Sequence, residues 1–306
     1  MGILVIGSVA LDSVQTPSGS VEDEPGGSAL YASIAASFYT DTRVVATVGT
    51  DFPDHVLTAL EDRSIDTEGV TVEEGDTFRW SGIYEDDLNK RRSIFTKLGV
   101  FEKFKPRLPA SYRELPHVFL ANIDPDLQRD VLDQIKRPHL VLCDTMNFWI
   151  NSKRPSLLKL LEKIDILLIN DEEAKEFSGE TNILKAGSWL LEKGPHSVVI
   201  KKGEHGANLF GASEFFSLPS YPVYEVIDPT GAGDTFAGAM IGFLSRFEKP
   251  GFEELKQSLV AGSVFASFCI EGFGARRLLS LKKEEISART KEFLEMFRIS
   301  PGGLTW

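Results

Sequence analysis

Residues 164–201 read IDILLIN DEEAKEFSGE TNILKAGSWL LEKGPHSVVI K, and this stretch decides the fold. At its two ends, 164–169 and 197–201, stand short runs of Ile, Leu and Val with little polar alternation. Runs of about four to eight such residues suit strands buried on both faces of a parallel sheet. Between them, 171–178 and 183–193 are amphipathic and long enough for helices. Strand, helix, strand is the unit of an α/β domain.

The same alternation extends in both directions. Further apolar runs lie at 3–7, 44–48, 118–121 and 140–143, with helical segments at 28–39, 53–63, 126–136 and 155–163. The last third predicts long helices near 233–247, 252–270 and 282–296. The expected fold is therefore α/β, a doubly wound, mostly parallel sheet flanked by helices, in a single domain over 1–306. One region breaks the rhythm. Residues 77–85 (TFRWSGIYE) and 92–97 (RSIFTK) read as strands joined by a polar turn, and a hairpin has no place in a βαβ series. With short strands expected in the polar stretch 13–25, strands inserted at about 13–25 and 77–98 predict a small β lid over the main sheet.

Composition narrows the function. The 306 residues carry 33 Lys plus Arg against 45 Asp plus Glu, a net charge of −12. Such a balance argues against nucleic-acid or anionic-membrane partners, which need a basic surface. Cys143 and Cys269 both sit in apolar runs and read as buried thiols. The five histidines form no ligand-spaced cluster. The apolar start, MGILVIGSVAL, lacks a basic flank and reads as a first strand, not a signal peptide. No window reaches the ~18 apolar residues of a membrane span. A cytoplasmic location is expected.

Chemistry concentrates in residues 227–240, IDPTGAGDTFAGAM. Gly231, Ala232 and Gly233 lead from a loop into an apolar helix. Small residues let backbone approach a ligand closely, and a helix start offers unpaired N–H groups and a positive dipole end to an anion. Asp234 lies in that first turn. A carboxylate beside an anion cradle suits phosphate transfer to a hydroxyl: a base for the proton and amides for the developing charge. The alternative is a glycine-rich entry to a buried helix, with Asp234 as a helix-start charge. Other signatures are absent: there is no GxxxxGK[ST], no complete GxGxxG and no GxSxG.

The segment Asp228-Pro229-Thr230-Gly231-Ala232-Gly233-Asp234 resembles the D-T-x-G-A-G-D motif of the ribokinase-like (PfkB) carbohydrate kinases, departing from it at Pro229. The resemblance spans nearly the whole chain in order. Gly26-Gly27 opening an Ala-rich helix resembles the family's N-terminal Gly-Gly motif, VVATVGTDFPD its next strand and loop, and Asn170-Asp171-Glu172-Glu173 its N-x-x-E element. VVIKKGEHG (198–206) is similar to its x-G-x-x-G strand.

The resemblance implies ATP-dependent phosphorylation of a small molecule's hydroxyl, with Mg²⁺. It implies Asp234 as general base and the amides of Ala232, Gly233 and Asp234 as anion hole. Asn170 and Glu173 would organise Mg²⁺ and phosphates through water. Gly203 and Gly206 would let the chain pass close to the nucleotide, with Lys201 or Lys202 near its phosphates or simply ending a strand in solvent. Asp228 and Thr230 border what is in many relatives a monovalent-cation loop, which leaves K⁺ use open. Asp12, after the first strand, matches the acid that holds substrate hydroxyls; without the Gly-Gly motif it would read as a turn residue.

Two departures bear on the substrate. Where ribokinase-type members carry Asn, this chain has Tyr31, which argues against ribose. Where many sugar kinases read D-x-N-x-R, this chain reads Asp144-Thr145-Met146-Asn147-Phe148-Trp149, with the arginine replaced by an aromatic pair. Asn147 either touches a nucleotide phosphate or the substrate, or simply opens a helix. The pocket would form where Asp12, Gly27, Tyr31, Trp80 and Asn122 converge. On the lid, Lys90, Arg91 and Arg92 either meet a substrate carboxylate or form a solvated turn, and Trp80, Ile83 and Ile94 would offer a face for a lid-to-lid homodimer. The expected acceptor is a small sugar, sugar acid or cyclic polyol. The alternatives are a nucleoside, for which Tyr31 and Phe148-Trp149 would supply stacking surface, and a non-catalytic sugar- or nucleotide-binding relative.

Overall fold

In this computed structural model, which describes residues 2–298, the buried runs pair into a nine-stranded sheet, and four further strands form a second one. The chain passes through β1 (Gly2–Ile6), β2 (Ala10–Thr16), β3 (Gly19–Gly26), β4 (Asp41–Gly49), β5 (Ile65–Glu73), β6 (Phe78–Tyr84) and β7 (Arg91–Lys97). It continues through β8 (His117–Leu120), β9 (Leu140–Asp144), β10 (Ile166–Asn170), β11 (Ser197–Lys201), β12 (Ala207–Phe210) and β13 (Phe215–Leu218). The large sheet runs β13-β12-β11-β10-β9-β8-β1-β4-β5, parallel from β11 to β5, with β12 and β13 added antiparallel at one edge.

Alternation along each strand feeds a core on both faces. In β1, Ile3 and Val5 pack with the helices Ser28–Ser37 and Ala232–Leu244, whereas Leu4 and Ile6 pack with Arg154–Leu161 and Asp171–Ser178. With both faces covered, no polar alternation is needed, so these strands read as unbroken apolar runs. Each fully buried Leu, Ile or Phe contributes roughly 1.5–3 kcal/mol, which anchors the sheet firmly under the site.

The long C-terminal helices form as expected, at Ala232–Leu244, Phe252–Cys269 and Lys283–Met296. Sequence reading missed β5, β12 and β13. In β5 most residues are at least partly exposed and the polar DTEGVTVE masks its strand character; it is an edge strand, paired only with β4. The β12–β13 hairpin is short and likewise an edge. Among the described residues no helix is long and apolar enough to cross a membrane.

The second sheet has the order β3-β2-β6-β7. The expected hairpin forms as β6–β7, and β2 lies parallel to β6, pairing Asp12 with Trp80. Trp80 and Ile83, three residues apart, fall on opposite faces of β6. The single apolar dimer face drawn from Trp80, Ile83 and Ile94 is therefore not present. Contacts between this sheet and the loops of the main body include Thr16 Oγ1 donating to Ile227 O (2.8 Å), a hydroxyl contact of Tyr84 with Thr230 (3.3 Å), Asn89 Nδ2 donating to Glu204 Oε1 (3.4 Å), and ion pairs of Arg79 with Asp51 (2.7 Å) and of Glu24 with Arg276.

Strand order decides where the site lies. From β1 the chain moves first to β4 and β5 on one side, then to β8 and beyond on the other. Connections leave the carboxyl ends of β1 and β8 in opposite directions, and a crevice opens at such a switch point. The carboxyl ends of β8 to β11 deliver Asn122, Asp144, Asn170 and Lys201 to it.

Candidate active site

The glycine loop is built around Asp228. Its buried carboxylate accepts from the amides of Thr230 (2.9 Å) and Gly274 (3.3 Å), tying the loop to the far end of the helix Phe252–Cys269. Gly231 follows as the N-cap of the helix Ala232–Leu244, with φ +77. A Cβ there would lie 2.5 Å from the ring of Tyr31, so both conformation and space demand glycine. Tyr31 is thus a packing support beneath the loop. Its phenol is 1% exposed, and its hydroxyl has no partner among the described residues.

Of the three candidate anion-hole amides, that of Ala232 donates to Pro229 O at 3.3 Å. Those of Gly233 and Asp234 begin the helix, where no intrahelical acceptor exists. Lys201 comes to the same place. Its ammonium would stand 3.2 Å from a Cβ on Gly233, and it donates to Asp144 Oδ2 at 2.6 Å. Lys201 rather than Lys202 is the lysine at this helix start. Asp144 ends the buried β9 and holds this lysine with a side chain only 6% exposed. Its part was missed from sequence, although its position matched those of Asn170 and Lys201: a polar residue closing a buried strand.

Electrostatics define the centre of the site. Asp234 is pushed up to about 7, first by burial and then by the Asp144 charge, while Lys201 and Arg91 pull it down. Glu173 is likewise pushed up to about 7, by burial and then Asp144, against its hydrogen bond from the Asn170 amide. Burial alone would lower the Lys201 ammonium, but Asp144, Asp234 and Glu173 together raise it. Asp144, Glu173 and Asp234 thus all act on one lysine. That donor set of hard oxygens fits Mg²⁺. Among the described residues no cage of three or more His, Cys, Asp or Glu is formed. An ion there would keep waters and phosphate oxygens as ligands, as Mg²⁺ commonly does.

The N-x-x-E element is a capping box. Asn170 Oδ1 accepts from the Glu173 amide (2.7 Å), and Glu173 Oε2 accepts from the Asn170 amide (3.0 Å). Gly203 and Gly206 both have positive φ, +53 and +84. Gly203 lies under Asn89, whose Oδ1 would be 2.2 Å from a Cβ, so the tip of the β6–β7 hairpin rests on the glycine loop after β11.

Across the crevice, Asp12 is 6% exposed and pushed up to about 7, by burial and then the Asp228 charge, with the Gly27 amide opposing. Its carboxylate lies over Gly26, where a Cβ would meet it at 2.1 Å. Trp80, its neighbour across β2–β6, donates to Ser93 Oγ (3.0 Å) and carries the Arg91 guanidinium over its ring at 5.7 Å. Asn122 is not free: its Oδ1 accepts from Trp149 Nε1 at 3.0 Å. Trp149 in turn packs edge-on against Phe148, which is 57% exposed. Asn147 opens the helix Asn147–Ser152 and is exposed, and no described contact joins it to the carboxylate cluster.

Comparison with known proteins agrees with this geometry. Residues 2–282 match the pfkB family carbohydrate kinase profile. The chain is 30% identical over 252 residues to a cytidine kinase of Thermococcus kodakarensis, covering 80% of this chain and 89% of that protein. It is 24% identical over 267 residues to a nucleoside kinase of Methanocaldococcus jannaschii, covering 86% and 84%. In fold it is similar to the aminoimidazole riboside kinase of Salmonella enterica, crystallised with aminoimidazole riboside and an ATP analog, at TM-score 0.76 and 16% identity over 95% of this chain and 100% of that one. Matching the family model from Gly2 to Lys282, this chain belongs to the pfkB carbohydrate kinase family and is an ATP-dependent kinase.

Proposed function

We propose that the acceptor is a ribonucleoside, with cytidine the first compound to test. One observation carries this reading: Asp12 and Trp80 are register partners on the second sheet, the carboxylate being read as the group that holds sugar hydroxyls and the indole as the stacking surface. A nucleoside offers both matching halves, sugar hydroxyls and a flat base, whereas a free sugar leaves the indole unused. The likeness to cytidine and nucleoside kinases over most of the chain supports it.

In this reading the acceptor's ribose lies against Asp12, Gly26 and Gly27. Asp234 takes the proton from the attacking hydroxyl, its pKa near 7 suiting that task. The amides of Gly233 and Asp234, with the Lys201 ammonium, receive the transferring phosphoryl oxygens. Glu173 and Asp144 would hold Mg²⁺ through water. When bound, the ion neutralises phosphate charge. The Asp228 loop is the place where a monovalent cation would act, and comparing K⁺ with Na⁺ tests that. The second sheet covers the crevice and excludes water from the transfer.

The test is ADP formation with Mg²⁺ and K⁺ over cytidine, uridine, adenosine, inosine, ribose, hexoses, sugar acids and inositol. The expected result is the highest kcat/KM on a nucleoside. Faster turnover of any free sugar, sugar acid or cyclitol overturns the reading and restores that class as acceptor.

A further inference from the structure

Asn122 follows β8 at its carboxyl end, between the two halves of the crevice. The residue before it, Ala121, stands against the acceptor side. Its amide donates to Ile6 O (2.8 Å), and a Cβ on Gly7 would lie 2.9 Å from its methyl and 2.6 Å from Ser28 Oγ, where the helix after Gly26-Gly27 begins. Gln128, only 1% exposed, ties the same strand end to the phosphate side. Its Nε2 donates to Leu120 O (3.2 Å), Ala121 O (2.9 Å) and Asp144 O (3.1 Å). The backbone that carries Asn122 is thus fixed from both sides.

An asparagine on a fixed backbone can still present either end of its amide, and Trp149 removes that choice. An indole nitrogen donates and never accepts, so its 3.0 Å contact meets the amide oxygen. Nδ2 is left on the other branch, with no hydrogen-bond partner among the described residues, on a side chain that is half-buried. The indole is itself held. Its neighbour Ile150 is buried, and Phe148 packs edge-on against it at 4.7 Å. Lys153, just past the helix Asn147–Ser152, binds Asp124 (3.1 Å) and Asp126 (2.7 Å), close along the chain to Asn122.

We propose that Trp149 is a positioning residue for substrate choice: it locks the Asn122 amide with its NH2 towards the crevice, so that Asn122 selects a phosphoryl acceptor offering a lone pair there. A base carbonyl oxygen or an unprotonated ring nitrogen meets that demand; an amino or ammonium group does not. A free carboxamide could turn to suit either kind of group. A locked one discriminates, because the wrong partner leaves buried polar groups unpaired. The class of lone pair rests on the nucleoside reading, whereas the lock itself does not.

The experiment measures kcat and the KM values for cytidine and Mg-ATP at pH 8 in Trp149→Phe, Asn122→Asp, Asn122→Ala and the double variant Trp149→Phe/Asn122→Ala. Trp149→Phe keeps an aromatic ring and loses the N–H. Cytidine KM should rise about three- to tenfold, with kcat and ATP KM within about threefold of wild type. Asn122→Asp still accepts from the indole but has no N–H to give, and cytidine KM should rise about tenfold or more. On the Asn122→Ala background, Trp149→Phe should add less than about twofold, since an indole acting only through the amide has nothing left to hold. Wild-type cytidine KM in Trp149→Phe or in Asn122→Asp would overturn the proposal. So would losses that multiply in the double variant, the mark of an indole touching the substrate itself, or losses equal for ATP and cytidine, the mark of a general structural role. If wild type turns over a free sugar faster than any nucleoside, the nucleoside reading fails, and the same variants assayed with that sugar still decide the lock.

Discussion

Replacing Asp234 with Asn should cripple the enzyme and stabilise it at once. Losing a general base costs about 100- to 10,000-fold in kcat, or roughly 3–5 kcal/mol at about 1.4 kcal/mol per decade. The stability change follows from the pKa. Asp234 sits at about 7 in the folded chain against 3.8 for a free carboxyl, chiefly through burial. Below pH ~4 it is protonated in both states. Between ~4 and ~7 the unfolded chain ionises while the folded one does not, so wild-type stability falls across that window. The full shift of about 3 units amounts to roughly 4 kcal/mol, an upper figure because solvent reaching the crevice screens part of it. Asn does not titrate and escapes the loss. At about 2 °C per kcal/mol for a chain of this size, Asp234→Asn should melt several degrees above wild type at pH 8, the gap closing towards pH 4. Turnover comes from ADP production, stability from thermal denaturation across pH. A kcat within tenfold of wild type would refute the base assignment, and a melting gap that ignores pH would refute the burial argument.

Three further outcomes are expected. The kcat/KM of wild type should rise through pH ~7 as Asp234 loses its proton, and Lys201→Met, which removes a cation holding that pKa down, should move the rise to higher pH; a downward or absent shift in the pH profile would contradict the pairing. Gly231→Ala should cost about 1–2 kcal/mol of backbone strain and displace Tyr31, lowering both melting temperature and kcat, the latter about tenfold or more; melting and turnover at wild-type values would show the loop less constrained than φ +77 and a 2.5 Å approach imply. Asp51 accepts from Thr77 Oγ1 (2.6 Å) and its amide (2.8 Å) and pairs with Arg79, so Asp51→Ala should loosen the second sheet at its root. Hydrogen bonds to a charged group are worth about 1.5–3 kcal/mol, and acceptor KM should rise about tenfold with kcat changed less; equal effects on ATP and acceptor would point to general unfolding instead.

The main sheet was legible because strands buried on both faces declare themselves as apolar runs, and the helix bounds followed within a few residues. Edge strands β5, β12 and β13 were not, since an exposed or short strand leaves no such run. The glycine loop and Asp234 stood out by their spacing, because a helix start is local, while Asp228 was named through the family resemblance. The parts of Asp144 and Arg91 were legible in neither way. Asp144 matters through a lysine 57 positions away, and Arg91 reads as one of three basic residues on a turn until β6–β7 pairing turns it over Trp80 and leaves its neighbours to Asp87 and Glu85. Asn122 and Trp80 show the same limit from the other side: one is taken by Trp149, the other is set beside Asp12.

By itself the sequence determined the α/β fold, because buried apolar runs alternating with amphipathic segments declare it, and it marked the glycine-rich helix start; the kinase class followed from the family resemblance that those motifs carry. Tertiary structure alone decided which charges share the crevice, because burial and Coulomb coupling depend on distances in space that spacing along the chain does not encode.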